Sequence, residues 1–354
     1  MQHSEAPKIS IIVACRNEAR HIRDFLDSLV AQDTGDLSWE AVIADGMSED
    51  GTRQVLSEYC TKHPQIRFID NPQFFVSTGL NAAIREAAGD VILRMDAHTW
   101  YAPDYVRLCV ETLHSTGADN VGGPARTQAH GSRARAFAAA FHSRFSTGGA
   151  KFHDEHYEGW VDTVTYGCWR KATLERLGLF DEVLVRNQDD ELNLRLLRRG
   201  GKIWQNPQIV SRYSPRSTLS SLFRQYFQYG FWKVAVIKKH HLPGSWRHLV
   251  PMAFVAGNIL LALALAVLAL LKSPQELPLI IAWLSLAACY VSLVCAASAI
   301  TAGRSGWSTL PYLPLIFATY HVAYGLGFLT GLKWCLPEKK QSLRVHAAFT
   351  RLSR

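Results

Sequence analysis

Between Leu249 and Leu332 the only charged residues are Lys272, Glu276 and Arg304, although the chain holds 38 Lys and Arg and 30 Asp and Glu over 354 residues. Nearly all the charge therefore sits in the first two thirds. A helix needs ~20 apolar residues to cross the hydrocarbon core of a bilayer. Leu249–Leu271 and Leu277–Ile300 each reach that length. Ser308–Leu332 is a third candidate, weakened by Pro311, Pro314, His321, Gly325 and Gly327. The split predicts a soluble head over 1–216, linking helices over 217–248, a membrane region over 249–332 and a basic tail over 333–354.

Composition narrows the class. A hydrophobic share of 48% excludes a disordered chain. Seven cysteines, an odd number without a CxxC pair, give neither a disulfide framework nor a zinc motif, and are expected to be small buried hydrophobes. The net charge of +8 comes with no nucleic-acid motif, so anionic lipid is the better partner for it. Met1–Lys8 is polar, and Ile9–Ala14 is too short for the core of an export signal, so the head is expected in the cytoplasm, on the inner membrane. Three full spans would then put the tail outside. That tail carries Lys333, Lys339, Lys340, Arg344, Arg351 and Arg354, which the positive-inside rule keeps in the cytoplasm. Either the third segment is re-entrant or interfacial, or the rule yields; the reading leans to a cytoplasmic tail.

Within the head, apolar runs alternate with helical patterns. Ile9–Ala14, Glu40–Ala44, Ile66–Ile69 and Val91–Met95 read as buried strands, with helices over Arg20–Val30, Thr52–Lys62 and Thr78–Ala87 between them. This rhythm predicts an α/β fold, a mostly parallel sheet with right-handed crossovers. Ligands bind such sheets beyond the carboxyl ends of the strands, which directs attention to Cys15–Glu18, Asp45–Asp50 and Asp96–His98. Farther on, Leu219, Leu222, Phe223, Tyr226, Phe227, Phe231, Val234 and Ile237 form a helical stripe. An isolated stripe would read as a helix packed on the head's core. Its aromatics, its basic flank and its place before a span favour a helix lying in the lipid headgroup layer.

The strand exits carry the chemistry. Asp45 opens the run Asp45-Gly46-Met47-Ser48-Glu49-Asp50-Gly51-Thr52, where a carboxylate can accept from a nucleobase or ribose and the glycines let the backbone come close. Asp96 and His98 end the run Arg94-Met95-Asp96-Ala97-His98. Carboxylate oxygen suits Mg²⁺ or Mn²⁺, and the imidazole tilts the choice towards Mn²⁺. Gln188-Asp189-Asp190-Glu191 opens a helical pattern. Acids there stabilise a helix N-terminus, or one of them serves as a general base. Arg212, Arg216 and Arg224 either remain solvated or grip phosphates.

Together these landmarks resemble a family 2 inverting glycosyltransferase of the GT-A fold. The matching residues are Ala14-Cys15-Arg16-Asn17-Glu18, the Asp45 loop, Leu80-Asn81-Ala82-Ala83-Ile84 before Gly89-Asp90, and Asp96-Ala97-His98. They continue with Gly178-Leu179-Phe180-Asp181-Glu182, Gln188-Asp189 and Arg224-Gln225-Tyr226. The DAH triplet, the Tyr229-Gly230-Phe231-Trp232 ending and the hydrophobic tail are most similar to membrane glucosyltransferases of succinoglycan-type exopolysaccharide assembly. The resemblance implies a Rossmann-like GT-A domain, amphipathic interface helices and a helical transmembrane region.

It also implies roles. Asp45 matches the acid that holds the uracil of a UDP-sugar, with Glu18 beside the nucleotide. Asp96 matches the first acid of the DxD motif, near ribose and metal, and His98 stands where the second acid usually lies. Asp189 matches the catalytic base, and Gln188 replaces the Glu that commonly precedes it. Arg212, Arg216, Arg224, Gln225 and Trp232 fall on the side of acceptor and phosphate. The implied partners are a UDP-sugar, Mn²⁺ or Mg²⁺, a polyprenyl-linked acceptor and membrane lipids, with an oligomer compatible. Direct transfer to polyprenyl phosphate is the enzymatic alternative, and a non-catalytic lipid-linked-glycan scaffold is the other.

Overall fold

The four apolar runs become β1 (Ile9–Cys15), β2 (Trp39–Asp45), β3 (Ile66–Asp70) and β4 (Val91–Met95) in a computed structural model that describes residues 8–335. Lys339, Lys340, Arg344, Arg351 and Arg354, on which the topology argument turns, lie outside the described residues. Helices α1 (Ile22–Val30), α2 (Thr52–Lys62) and α3 (Val76–Glu86) make the crossovers. The remaining strands are β5 (Thr99–Tyr101), β6 (Asn120–Gly123), β7 (Gly159–Val161), β8 (Thr165–Arg170), β9 (Ile203–Gln205) and β10 (Ser211–Tyr213). Eight of them form one sheet in the order β3-β2-β1-β4-β8-β6-β9-β7, and β5 pairs with β10 in a separate ribbon. The half β3-β2-β1-β4 is parallel throughout. The chain leaves β1 towards β2 and later returns to β1's other side as β4, so a crevice opens at the carboxyl ends of β1 and β4.

Strand side chains alternate between two helical layers. Ile11, Val13, Ile43, Leu93 and Met95 face α1, α2 and α4 (Tyr105–Thr116). Ile12, Val42, Ala44 and Ile92 face α3, α7 (Lys171–Leu177) and α8 (Gln188–Arg198). The period of two therefore puts Arg94 on the α8 side of β4. Leu192 and Leu196 of α8 are buried in that layer. Burying each contributes roughly 1.5–3 kcal/mol, enough to fix the rotation of α8 and with it the direction of its first turn.

The chain divides into two compact units. The first is Met1–Gln128 with Ala150–Ser214, and the second is Ala129–Gly149 with Pro215–Arg354. The second contains α5 (Gly131–His142), α6 (Arg144–Thr147), α9 (Leu219–His240), α10 (Val250–Leu270), α11 (Glu276–Ser305) and α12 (Leu313–Cys335). The segment 129–149, expected inside the head, clusters with this unit because Ala136, Phe137 and Ala140 bury against Leu222, Phe317 and Tyr320.

Among the described residues of this unit, three helices are long and apolar enough to cross a membrane. The third begins at Leu313 rather than at Ser308, since Pro311 and Pro314 resist a helical turn before them. It also differs from its companions in burial: 44% of its apolar stretch is covered by protein, against 6% for each of the other two. Its cover includes α9. A Cβ on Gly327 would come within 2.0 Å of the Phe227 carbonyl oxygen, and one on Gly230 within 2.1 Å of that of Tyr324. Small residues let the two backbones touch. Much of the aromatic stripe of α9 is thus a helix–helix contact, with Leu222, Phe231 and Val234 buried.

Candidate active site

Two strand exits knit into one cradle. Asn17, in the left-handed region at φ 53°, donates its N–H to the Ser48 hydroxyl (2.8 Å), and its side-chain carbonyl accepts from the Glu49 N–H (3.0 Å). Glu18 donates its N–H to the Thr52 hydroxyl (2.8 Å). Asp50 accepts from the Ala19 N–H (3.1 Å) and from the Thr52 hydroxyl (2.6 Å). Burial opposes the charge of Asp50, but these donors win and hold its carboxyl below the usual range.

Asp45 lies beneath this cradle and is fully buried. Its carboxylate accepts from the Ser48 hydroxyl (2.5 Å), the Ser48 N–H (3.0 Å) and Arg53 Nη1 (2.7 Å). Arg53 also reaches Asp70 Oδ1 at 2.7 Å. The direct contacts of the Asp45 carboxylate are thus with the loop that follows it, with Arg53 at the start of α2 and with the Cys15 thiol of β1. Beside the loop, Arg16 stacks over the ring of the exposed Phe74, 4.5 Å from its centroid.

The β4 exit brings the next group together. Asp96 donates its N–H to the Tyr101 hydroxyl (2.6 Å), which fixes the turn. Its Oδ1 lies 3.3 Å from His98 Nδ1, and that nitrogen is 3.6 Å from Glu18 Oε1. Glu18, Asp96 and His98 therefore converge from two different loops. Among the described residues no cluster of three or more His, Cys, Asp or Glu forms a metal cage. Two or three donors of this kind suit an ion that takes its other ligands from substrate phosphates, the usual habit of Mg²⁺ and its like. His98 and Asp96 are the residues that fit, with Glu18 in reach.

One residue missed by the sequence reading links this group to Asp189. Arg94 is buried, and its guanidinium pairs with the Asp189 carboxylate while lying 4.0 Å from Asp96 Oδ2. Burial works against its charge, but the Asp189 and Asp96 carboxylates outweigh that and raise it above the ordinary arginine range. The Tyr166 ring covers the guanidinium at 5.8 Å. Tyr166 sits at φ 63°, a conformation costing a bulky residue of order 1–3 kcal/mol. Its hydroxyl is 2.5 Å from that of Thr99, and burial followed by the Asp96 charge pushes it well above the usual tyrosine range. A charged residue inside the apolar run Val91–Met95 was the available signal for Arg94.

The three acids of α8 differ in kind. Glu191 is fully buried and pairs with Arg195 at 2.7 Å, so it is structural. Arg195 in turn holds the Leu177 and Leu179 carbonyls (2.5 and 2.8 Å). Asp189 keeps 42% of its side chain exposed. Asp190 follows one position on, ~100° around the helix. Gln188 is buried behind them.

The residues expected on the acceptor side are spread. Arg212 stacks over exposed Trp100, its cross-strand neighbour on the β5–β10 ribbon, at 5.3 Å. Arg216, Arg224, Gln225 and Trp232 belong to the second unit. There Gln225 donates to the Tyr229 hydroxyl (3.1 Å), Trp232 is buried, and Arg216 and Arg224 are exposed.

A half-parallel sheet with its polar residues gathered at the β1 and β4 exits is the build of a GT-A-like domain. The chain belongs to Glycosyl transferase family 2, whose profile matches residues 10–171. It is 34% identical over 257 residues to the succinoglycan biosynthesis protein ExoA of Rhizobium meliloti, covering 72% of this chain and 78% of that one. It is 30% identical over 255 residues to the dolichyl N-acetyl-alpha-D-glucosaminyl phosphate 3-beta-D-2,3-diacetamido-2,3-dideoxy-beta-D-glucuronosyltransferase of Methanococcus voltae, with 70% and 78% covered. In fold it is similar to the mannosyltransferase PcManGT of Pyrobaculum calidifontis, solved with GDP-Man and Mn²⁺. That likeness has a TM-score of 0.60 at 20% identity and covers 92% of this chain and 88% of that one.

Proposed function

We propose that this family 2 glycosyltransferase is an inverting, metal-dependent enzyme of the inner membrane, its head in the cytoplasm. It transfers glucose from a UDP-sugar to a polyprenyl-diphosphate-linked glycan in exopolysaccharide assembly. The observation that carries the reading is that Arg94 joins two acids, Asp96 and Asp189; in this reading Asp96 serves the donor and Asp189 the acceptor. The names of the Rhizobium and Methanococcus relatives, one from polysaccharide synthesis and one acting on a dolichyl-phosphate-linked sugar, support a lipid-borne acceptor.

The chemistry is one displacement. The acceptor hydroxyl gives its proton to Asp189 as its oxygen forms a bond to the anomeric carbon. On the opposite face the bond to the diphosphate breaks, UDP leaves with that electron pair, and the configuration inverts. Asp96, His98 and Glu18 would hold Mn²⁺ or Mg²⁺, which when bound supplies charge neutralisation for the diphosphate. Asp45 keeps the Ser48 loop and Arg53 in place around the base. Arg212 in the first unit, and the exposed Arg216 and Arg224 in the second, are each available to phosphates of donor or lipid. The spanning helices keep the reaction at the lipid surface.

The test is a screen of UDP-sugars against polyprenyl-diphosphate-linked and polyprenyl-monophosphate acceptors, read by product mass. A lipid-linked glycan heavier by one hexose is expected. A product on polyprenyl phosphate alone would replace this acceptor, and absence of UDP release would favour a scaffold.

A further inference from the structure

We infer that Arg94 is a positioning residue for the reaction, holding the Asp189 carboxylate in register with Asp96. The inference rests on the reading of Asp189 as the base and deepens it. The alternation of β4 turns Arg94 out of the α1 layer and towards α8. Burial of Leu192 and Leu196 sets the rotation of α8, so Asp189 meets the guanidinium rather than the solvent alone. Nη1 goes to Asp189 and Nη2 faces Asp96, so one rigid fork sets the distance between the β4 exit and the first turn of α8. Tyr166 closes the remaining face of the fork, and its own hydroxyl is tied to Thr99, three residues after Asp96.

Arg195, the structural arginine of α8, divides itself between one carboxylate and two backbone carbonyls, whereas Arg94 faces two carboxylates. These are the acid expected at the donor and the acid expected at the acceptor. Misplacing a reacting group by 1 Å can cost ~10²-fold in rate. Glutamine at 94 removes both contacts. Lysine keeps the charge but is a point donor that serves one carboxylate at a time.

The test uses the full-length protein in detergent, with UDP-glucose, Mn²⁺ and polyprenyl-diphosphate-linked oligosaccharides. Arg94→Gln should lower kcat by roughly 10²-fold while the KM for UDP-glucose moves less than about threefold, and Arg94→Lys should recover part of the loss. In a double-mutant cycle, Arg94→Gln should add less than about threefold to the defect of Asp189→Asn, because its target is already disabled. Arg94→Lys guards against a fold defect: wild-type turnover by it, or full multiplication of the Arg94→Gln and Asp189→Asn defects, overturns the inference while leaving the base in place. Wild-type turnover by Asp189→Asn instead sinks the base assignment, and the role of Arg94 with it.

Discussion

Changing Asp189 to Asn separates catalysis from architecture. The side chain is 42% exposed and its partner Arg94 is buried, and the asparagine carbonyl can still accept from that guanidinium. Buried Arg94 keeps Asp96 and this neutral acceptor, so the usual cost of ~3–5 kcal/mol for breaking a buried pair shrinks to about 1–2, a shift of several degrees in Tm. The amide cannot take a proton at neutral pH. General-base catalysis commonly supplies ~10²–10⁴-fold, so kcat should fall by that factor, roughly 3–5 kcal/mol at 1.36 kcal/mol per decade. UDP affinity should hardly change, because Asp189 does not touch the β1 and β2 exits where the nucleotide is expected. Asp190→Asn, turned ~100° away on the helix, should cost less than about tenfold. The assay is UDP release under saturating donor, with UDP affinity by calorimetry and Tm measured on the same preparations. A dead Asp190→Asn beside a normal Asp189→Asn would refute the register of the active site.

Other perturbations probe neighbouring parts. Chelation should stop turnover, and His98→Ala should raise the Mn²⁺ concentration for half-activation by ~10–100-fold; an unchanged metal requirement would remove His98 from the metal site. Arg53→Met takes one partner from fully buried Asp45. The usual cost of ~3–5 kcal/mol for breaking a buried pair shrinks to about 1–2 because Arg53 is 35% exposed, and UDP affinity should drop ~10-fold; unaltered UDP binding would detach this pair from the nucleotide. Gly327→Val drives a branched side chain into the Phe227 carbonyl, so Tm in detergent should fall by an amount equivalent to at least ~1–3 kcal/mol. An unshifted Tm would mean that α9 and α12 do not pack in solution.

The head was legible where burial on both faces leaves a continuous apolar run, as in Ile9–Ala14 and Val91–Met95, and where a polar residue ends such a run. Those two signals located β1 to β4 and the loops of Glu18, Asp45, Asp96 and His98. Contacts between elements distant in sequence were not legible. Arg94 and Asp189 are 95 residues apart, and nothing local says that β4 and α8 share a layer. Asp45 illustrates the same limit: its chemistry permits a nucleobase contact, but only the fold reveals that Ser48 and Arg53 surround it. What covers the 129–149 segment and α12 was not legible either, because periodicity identifies an apolar face without naming its cover. For α12 that cover is largely α9, through glycines that lower its apparent fitness as a span.

Single displacement by one base has a stereochemical signature, and the anomeric configuration of the lipid-linked product reads it directly. With UDP-α-glucose as donor and a polyprenyl-diphosphate-linked acceptor, proton NMR of the purified product should show the new linkage as β. An α linkage would require a second displacement or front-face attack, and would contradict the role given to Asp189.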